Sequence, residues 1–269
     1  MPATHMNNVR MIPFWNFNYY KIHESDGTPR CNTCDRFKTT GQNEYVNLGN
    51  NQQLCSECFS TAILHPSKCK RLIENMRKFY KKLGLQVDKK IPILLIDDDE
   101  LRRIHPNEQM LNVVGVTTHP PYTVMTVYVA YFWVVTDFKM FKERVMIGAT
   151  LAHEMMHAWL ALQGCNHLEK KVSEGICEVM AHIWLTSCCK KGLESYNTRH
   201  GHAVFLENLQ KYATYKIESN VDKNYGQGFR EANMAVTKTL PRNKIMDKNY
   251  GQGFRETIDY IIRNKTLPR

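Results

Sequence analysis

The chain has 269 residues, of which 43% are hydrophobic and 23% charged, and its formal net charge is +10. This composition is that of a folded protein and excludes a mostly disordered chain. No apolar run reaches the roughly 20 residues that cross a bilayer, and the first residues lack the basic-then-apolar order of a signal peptide. We therefore expect an intracellular protein, in the cytoplasm, the nucleus or both, that does not bind a membrane.

The first 66 residues predict a small, turn-rich module built around two cysteine pairs. Cys31-x-x-Cys34 and Cys55-x-x-Cys58 have the spacing of a four-cysteine zinc site, in which each pair presents two thiolates to one ion. An odd total of nine cysteines without a secretion signal argues against a disulfide framework. We therefore predict one structural zinc on these four residues. The remaining cysteines are expected to be ordinary reduced thiols: Cys69, Cys165, Cys177, Cys188 and Cys189.

The middle of the chain predicts one helix followed by strands. Apolar residues between Leu72 and Tyr80 fall on one helical face, and the helix should end near Gly84. Residues 91–96 predict a short strand, and residues 123–135, rich in β-branched and aromatic side chains, predict another. The pattern leaves open whether this second strand is an edge strand, open to an extended substrate, or a central buried one.

Three helices are predicted next, followed by a basic tail. The helical patterns cover about residues 142–162, ending at Gly164, then 168–190, ending at Gly192, and then 202–215. From Asn220 onward ten Lys/Arg face five Asp/Glu, a net charge of +5. No nucleic-acid-binding motif accompanies this charge, so nucleic acid is not the expected partner.

The C-terminal region contains an exact internal repeat. The decapeptide DKNYGQGFRE occupies residues 222–231 and again 247–256. Two copies are too few for a stacked repeat array. We expect one copy to pack on the domain and the other to be a dispensable extension.

The first of the three helices carries His153, Glu154 and His157, an H-E-x-x-H motif. Two histidines four residues apart stand on one face of a helix, so both imidazoles can bind a single ion. The glutamate between them can take a proton from a zinc-bound water and later give it to a leaving amine. Zinc suits such a site because it is a Lewis acid without redox chemistry. The motif predicts a zinc peptidase with Glu154 as general base and acid.

A catalytic zinc usually has three protein ligands, and the third is expected on the next helix. Glu174 and Glu178 share a face of that helix, and this resembles the gluzincin arrangement. The resemblance makes Glu174 the third ligand and Glu178 a group that orients an imidazole, although the spacing is compatible with the reverse. A metzincin motif is excluded because positions 160 and 163 are Leu160 and Gln163. Candidate oxyanion donors are Tyr215 and His182, with His200, His202 and Tyr212 as further possibilities.

Several motifs of this chain resemble the plant DAR family, the LIM-domain ubiquitin-receptor peptidases that restrict organ growth. They are LAHEMMHAWL, EGICEVMAHIWL, PFW, TPRCNTC, LCSEC, KIES and YGQGFR, which together cover about residues 11–240. The resemblance implies an intracellular peptidase that clips regulatory proteins of the ubiquitin system and is itself controlled by ubiquitination. Three departures from the family stand out. The ubiquitin-interacting motifs are missing and the LIM domain is incomplete, which argues against ubiquitin binding and its regulation in this chain. Tyr20 stands in place of a cysteine near His23, which argues against a second zinc in the module.

Together these inferences predict an α+β chain in three parts: a LIM-like zinc module (1–66), a gluzincin-like peptidase domain (67–240) and a basic tail (241–269). The predicted function is an intracellular zinc endopeptidase with one catalytic and one structural Zn²⁺, which cleaves regulatory proteins to limit growth. Its expected partners are protein substrates, including ubiquitin ligases or deubiquitinases. The alternative is a catalytically weak adaptor that recruits protein partners through the LIM-like module.

Overall fold

The architecture is α+β, with small sheets in the first half of the chain and packed helices in the second. The computed structural model describes residues 8–39, 45–49, 52–60, 70–85, 91–96, 103, 115–118, 126–130, 144–194, 200–238 and 248–268. The strands are β1 (Val9–Ile12), β2 (Phe17–Tyr20), β3 (Val46–Gly49), β4 (Gln52–Leu54), β5 (Ile93–Ile96), β6 (Gly115–Thr118) and β7 (Thr126–Ala130). The α-helices are α1 (Ser56–Ser60), α2 (Lys70–Lys82), α3 (Arg144–Leu162), α4 (Lys170–Glu194), α5 (His200–Glu218), α6 (Gly228–Lys238) and α7 (Lys248–Asn264). No described helix is both long and apolar enough to span a bilayer.

The N-terminal module consists of two antiparallel hairpins, β1–β2 and β3–β4, and the short helix α1. The apolar clusters of its described residues are shared with the helical part of the chain. Its four paired cysteines and Leu54 form one buried cluster with side chains of α3, α4 and α5, among them Val145, Leu185, Phe205 and Leu209. The module is therefore fixed to the helical part of the chain by a shared apolar interface.

The three-stranded sheet has the order β5-β7-β6. The central strand β7 pairs in parallel with β5, Val127 opposite Ile93, and antiparallel with β6, Val127 opposite Thr117. The possibility that residues 123–135 form an edge strand is wrong for the described part of that segment, because β7 is paired on both sides. Among the described residues β6 lies at an edge of the sheet, and it packs against α3.

Helices α3 and α4 form the centre of the molecule. Helix α3 is apolar on most sides because it lies between α4, α2 and the strands β6 and β7. It ends as predicted at Gly164, whose φ of +70° suits glycine, and the Gly164 and Cys165 amides bond back to Ala161 and Leu160. Helix α4 was predicted to stop at Gly192 but continues to Glu194, and α5 is longer than predicted at both ends.

The two copies of the decapeptide adopt different local structures. In the first copy residues Lys223–Gln227 form a π-helix that leads into α6, whereas the second copy is α-helical from Lys248. Phe229 of the first copy and Phe254 of the second are both buried in the main core, and Phe254 is joined there by Ile258 and Ile261. The expectation that one copy is a dispensable extension is wrong, because α7 supplies core side chains.

We predict that Phe254→Ala lowers the free energy of unfolding by about 3–5 kcal/mol, the usual cost of truncating a buried phenylalanine. Asp259→Ala, an exposed change on the same helix, should alter the free energy of unfolding by less than about 0.5 kcal/mol. Urea unfolding followed by circular dichroism measures both. A loss below about 1 kcal/mol for Phe254→Ala would mean that α7 does not belong to the cooperative core.

Candidate metal centre

The H-E-x-x-H motif and the second helix bring three ligand atoms to one point. His153 Nε2 lies 3.1 Å from His157 Nε2, and Glu174 Oε2 lies 3.2 Å from the first and 3.3 Å from the second. Ligand atoms of a tetrahedral zinc, each about 2.0–2.1 Å from the ion, lie about 3.3–3.4 Å apart. The three atoms therefore have the spacing of three ligands of one zinc ion.

This geometry arises because α3 and α4 are antiparallel. His157 faces Glu174 near the start of α4, and His153, one turn back on α3, faces both Glu174 and Glu178. Four-residue spacing on each helix places the two histidines on one face and the two acids on the facing one. The seven residues from 163 to 169 turn the chain between the two helices.

The second nitrogen of each imidazole also has a polar neighbour on α4. Glu178 Oε1 lies 3.5 Å from His153 Nδ1, and Ser173 Oγ lies 3.3 Å from His157 Nδ1. Partners of this kind fix the tautomer and orientation of a ligand histidine. Sequence reasoning identified Glu178 but missed Ser173, because nothing in its spacing distinguishes it from a helix-surface serine.

Burial and the neighbouring polar groups shift the pKa values of this cluster in opposite directions. Burial lowers the pKa of His153, but the hydrogen bond with Glu174 and the charge of Glu178 outweigh it, so the pKa is raised. Burial raises the pKa of Glu174, but hydrogen bonds with the two histidines outweigh it and lower the pKa. The pocket thus holds an ionised carboxylate that attracts positive charge, whether protons or a metal ion.

Cys177 is a buried thiol beside the histidines that was predicted to be an ordinary reduced cysteine. Its sulfur lies within 4.8 Å of ring nitrogens of both His153 and His157. Burial raises the pKa of this thiol to about 11. The Glu174 carboxylate oxygen lies 3.2 and 3.3 Å from the two Nε2 atoms, which is the spacing of ligands of one zinc ion, so Glu174 is the stronger candidate for the third position.

Glu154 is buried and has a partner from the sheet. The hydroxyl of Thr117, on β6, lies 2.8 Å from the Glu154 carboxylate Oε2 and 2.8 Å from the Glu154 carbonyl oxygen. Glu154 is only 6% exposed, so this hydroxyl supplies one of its few hydrogen bonds. Sequence reasoning missed Thr117 because the four residues of β6 carry no chemical motif.

Tyr225 of the first decapeptide also reaches the site. Its ring stacks on His153 with a centroid separation of 6.2 Å and an interplanar angle of 23°. Two glycines permit this approach: a Cβ on Gly228 would clash with the α4 backbone, and a Cβ on Gly175 would clash with the backbone of Gly228. The motif YGQGFR was noticed in the sequence, but its proximity to the histidines depends on this helix contact.

The candidate oxyanion donors make other contacts. Tyr215 packs edge-on against Phe14 of the module at 5.8 Å, and His182 is hydrogen-bonded to Glu218 at 2.8 Å. Tyr212 donates to Asp35, and the side chains of His200 and His202 lie outside the described part of the structure. These described contacts do not bring Tyr215 or His182 to Glu154, and an oxyanion role for either stays a prediction.

The four paired cysteines of the module converge as the sequence predicts. All four are buried and their sulfur atoms lie within 4.8 Å of one another, with Cys34 Sγ and Cys55 Sγ 3.8 Å apart. Sulfur ligands about 2.3 Å from a tetrahedral zinc lie about 3.8 Å apart. The cluster therefore fits a closed structural zinc of the LIM-like type.

Arg36 is a further part of this site that sequence reasoning missed. Its guanidinium donates to Cys34 Sγ at 3.2 Å and Cys55 Sγ at 3.4 Å, pairs with Glu57 at 2.6 Å, and lies 4.5 Å from the ring of Trp15. A positive charge beside four thiolates offsets their excess negative charge.

The segment around His23, where the sequence argues against a second zinc, is hydrogen-bonded. His23 Nδ1 lies 2.8 Å from Asp26 Oδ2 and 3.0 Å from Thr28 Oγ1. Within the described ranges, the groups that could hold a metal are the four-cysteine cluster and the one around His153 and His157. The described part of the module therefore offers one candidate metal site, the four-cysteine cluster.

The fold defines a class of protein in which a LIM-like cysteine module packs against a pair of helices that carries an H-E-x-x-H motif. A family model described as DA1-like, Protein DA1, matches residues 142–248, which include both helices. The chain belongs to the plant DA1 family.

The relatives that support this membership are plant proteins. Protein DA1-related 1 of Arabidopsis thaliana is 31% identical over 270 residues, which cover 85% of this chain and 49% of that protein. Protein DA1 of the same plant is 30% identical over 277 residues, covering 88% of this chain and 52% of that protein. LIM domain-containing protein HDR3 of Oryza sativa subsp. japonica is 28% identical over 280 residues, covering 87% and 56%. The chain thus spans about half the length of these relatives, and no solved structure gives a significant match.

We predict that Cys58→Ser removes the zinc of the module and loosens its contact with α5, because the cysteines share a core cluster with Phe205 and Leu209. Cys165→Ser, which changes a buried cysteine outside the module, should keep the full zinc content. Elemental analysis of both purified proteins gives the number of zinc ions per chain. An unchanged zinc content in Cys58→Ser would contradict the assignment of this cluster.

Proposed function

We propose that this chain is a zinc-dependent endopeptidase whose active site is formed by helices α3 and α4. The observation that carries the proposal is the triangle of His153 Nε2, His157 Nε2 and Glu174 Oε2, with edges of 3.1–3.3 Å. Two further contacts support it, the one between Glu178 and His153 Nδ1 and the one between Ser173 and His157 Nδ1. Ligands supported in this way are typical of functional metal sites.

The residues of the chain have separate roles in the proposed reaction. Zinc, when bound, supplies a Lewis acid and lowers the pKa of the water it binds to about 7. Glu154 lies next to a ligand in sequence but is bonded to Thr117. Its carboxylate is the group proposed to accept a proton from the attacking water and return it to the leaving amine.

The edge strand β6 is the proposed docking site for an extended substrate. Among the described residues β6 pairs on one side only, with β7, and its Thr117 side chain contacts Glu154. A peptide that adds along the free edge would gain backbone hydrogen bonds and lie next to the general base. The sequence left open whether the segment containing β7 is an edge strand that binds an extended substrate. Strand β6 is proposed for that role instead.

We propose that the substrates are intracellular regulatory proteins of the ubiquitin pathway, ubiquitin ligases or deubiquitinases among them, and that their cleavage limits plant growth. The membership of the DA1 family and the motif resemblance support this proposal. The whole relatives are about twice as long as this chain, so regulation by ubiquitin would involve regions beyond the match.

An adaptor function is the second candidate, and one observation favours it. Large apolar side chains stand exposed on and beside the β1–β2 hairpin, at 61% for Met11, 56% for Tyr20 and 61% for Ile22. Exposed apolar patches mark surfaces that bind other proteins. In this candidate the peptidase fold serves as a scaffold, and the chain binds partners without cleaving them.

Glu154→Gln should separate the two candidates. Losing the general base is expected to lower kcat by at least about 10²-fold, while both zinc ions and the fold are retained because Glu154 is not a proposed ligand. Cleavage of a quenched fluorescent peptide library, with zinc analysis alongside, is the measurement. Glu169→Gln, an exposed acid just before α4, is the matched control. Wild-type protein that holds two zinc ions and cleaves nothing would favour the adaptor.

The two acids of α4 should differ in their effect on metal binding. Glu174→Gln should sharply weaken zinc binding, because a neutral amide is a far poorer ligand than a carboxylate. Glu178→Gln should cost roughly 10–100-fold in affinity, since an amide oxygen can still accept a bond from His153 Nδ1. Zinc titrations with the cysteine site intact as an internal reference measure both. Loss of the zinc in Glu178→Gln alone would exchange the two roles.

A further inference from the structure

The contact between strand β6 and Glu154 has a specific geometry. The hydroxyl oxygen of Thr117 lies 2.8 Å from the carbonyl oxygen of Glu154 and also 2.8 Å from its carboxylate Oε2. Thr117 is held in place by its pairing with Val127, which is completely buried in the main core. The hydroxyl therefore projects from a fixed strand onto both the backbone and the side chain of one glutamate.

A threonine hydroxyl has a single hydrogen, so it donates to one of these two oxygens at a time. The ionised carboxylate is the stronger acceptor, because hydrogen bonds to charged groups are stronger than those to neutral ones.

We propose that Thr117 is a positioning residue for Glu154, which holds Oε2 so that Oε1 faces the attacking water. This inference rests on the proposed peptidase function and adds a residue to it. Thr117 lies on the strand that is proposed to bind the substrate. The same four residues, Gly115–Thr118, therefore position both the general base and the bound peptide.

Thr117→Val tests the proposal because valine has the same shape, lacks the hydroxyl and suits a strand. We expect kcat to fall by about 10–100-fold, as is usual when a catalytic group is displaced by about 1 Å. KM should stay within about twofold, because a peptide docked along β6 would bond to the strand backbone, which valine leaves unchanged. The zinc content should not change, since Thr117 is not a proposed ligand. Thr117→Ser, which keeps the hydroxyl, should restore kcat to within about threefold of the wild type.

Thr237→Val is the matched control, because Thr237 is exposed on α6 and its hydroxyl bonds only to helix carbonyl oxygens. It should leave kcat and KM unchanged. Equal kcat values for wild type and Thr117→Val would overturn the positioning role, and so would a failure of Thr117→Ser to restore activity.

A crystal structure of Thr117→Val keeps the test independent of peptidase activity. We expect the Glu154 carboxylate to have left the position it holds in the wild type. A carboxylate that stays in place would overturn the inference even if the protein cleaves no peptide. Absence of cleavage by the wild type, with Glu154 displaced in the variant, would refute the peptidase function but leave the role of Thr117 in place.

Discussion

The arrangement of the whole molecule depends on a carboxylate buried between two helices. Glu174 lies in an interface lined by completely buried apolar side chains such as Ile176, where an unpaired charge would be very costly. Its pairing with His153 and His157 fixes the register of α4 against α3. The other contacts follow from that register: α3 packs on the sheet at β6, and α4 packs against the segment that carries Tyr225. A bound cation and the helix register therefore stabilise each other.

The sequence predicts those parts of the site that are set within one helix or one turn. The spacing of His153 and His157 and that of the CxxC pairs are local, and so is the φ of +70° at Gly164. Thr117 and Tyr225 could not be found this way, because each reaches its site through contacts between residues far apart in the chain. Arg36 stands two residues after Cys34, but its role also depends on contacts with Cys55 and Trp15, which only the folded chain brings to it. The same reason explains why the sequence left the position of β7 open, since its central position depends on pairing with β6, four residues with a weak strand signal.

Helix α5 connects the cysteine module to the helix pair. Its inner face carries Phe205 and Leu209, which share a cluster with the module cysteines, and its Tyr212 and Lys216 both bond to Asp35, next to Cys34. The boundary at residue 66 separates the cysteine-bearing, turn-rich segment from the helical segment in the sequence. In the structure, side chains from both segments pack in one apolar cluster. The cysteine module therefore packs on α5, and α5 in turn packs on α4.

Because the decapeptide is repeated exactly, two different deletions of this chain produce the same shortened protein. Removing residues 222–246 or residues 232–256 yields the same shortened sequence, in which one DKNYGQGFRE is followed directly by TIDYIIRN. A single helix would then have to serve in two places, beside His153 through Tyr225 and in the core through Phe254. It cannot occupy both, because the two places are filled by separate helices, α6 and α7, that pack against each other. The two copies have the same ten residues but fill different places in the fold, so the fold needs both copies.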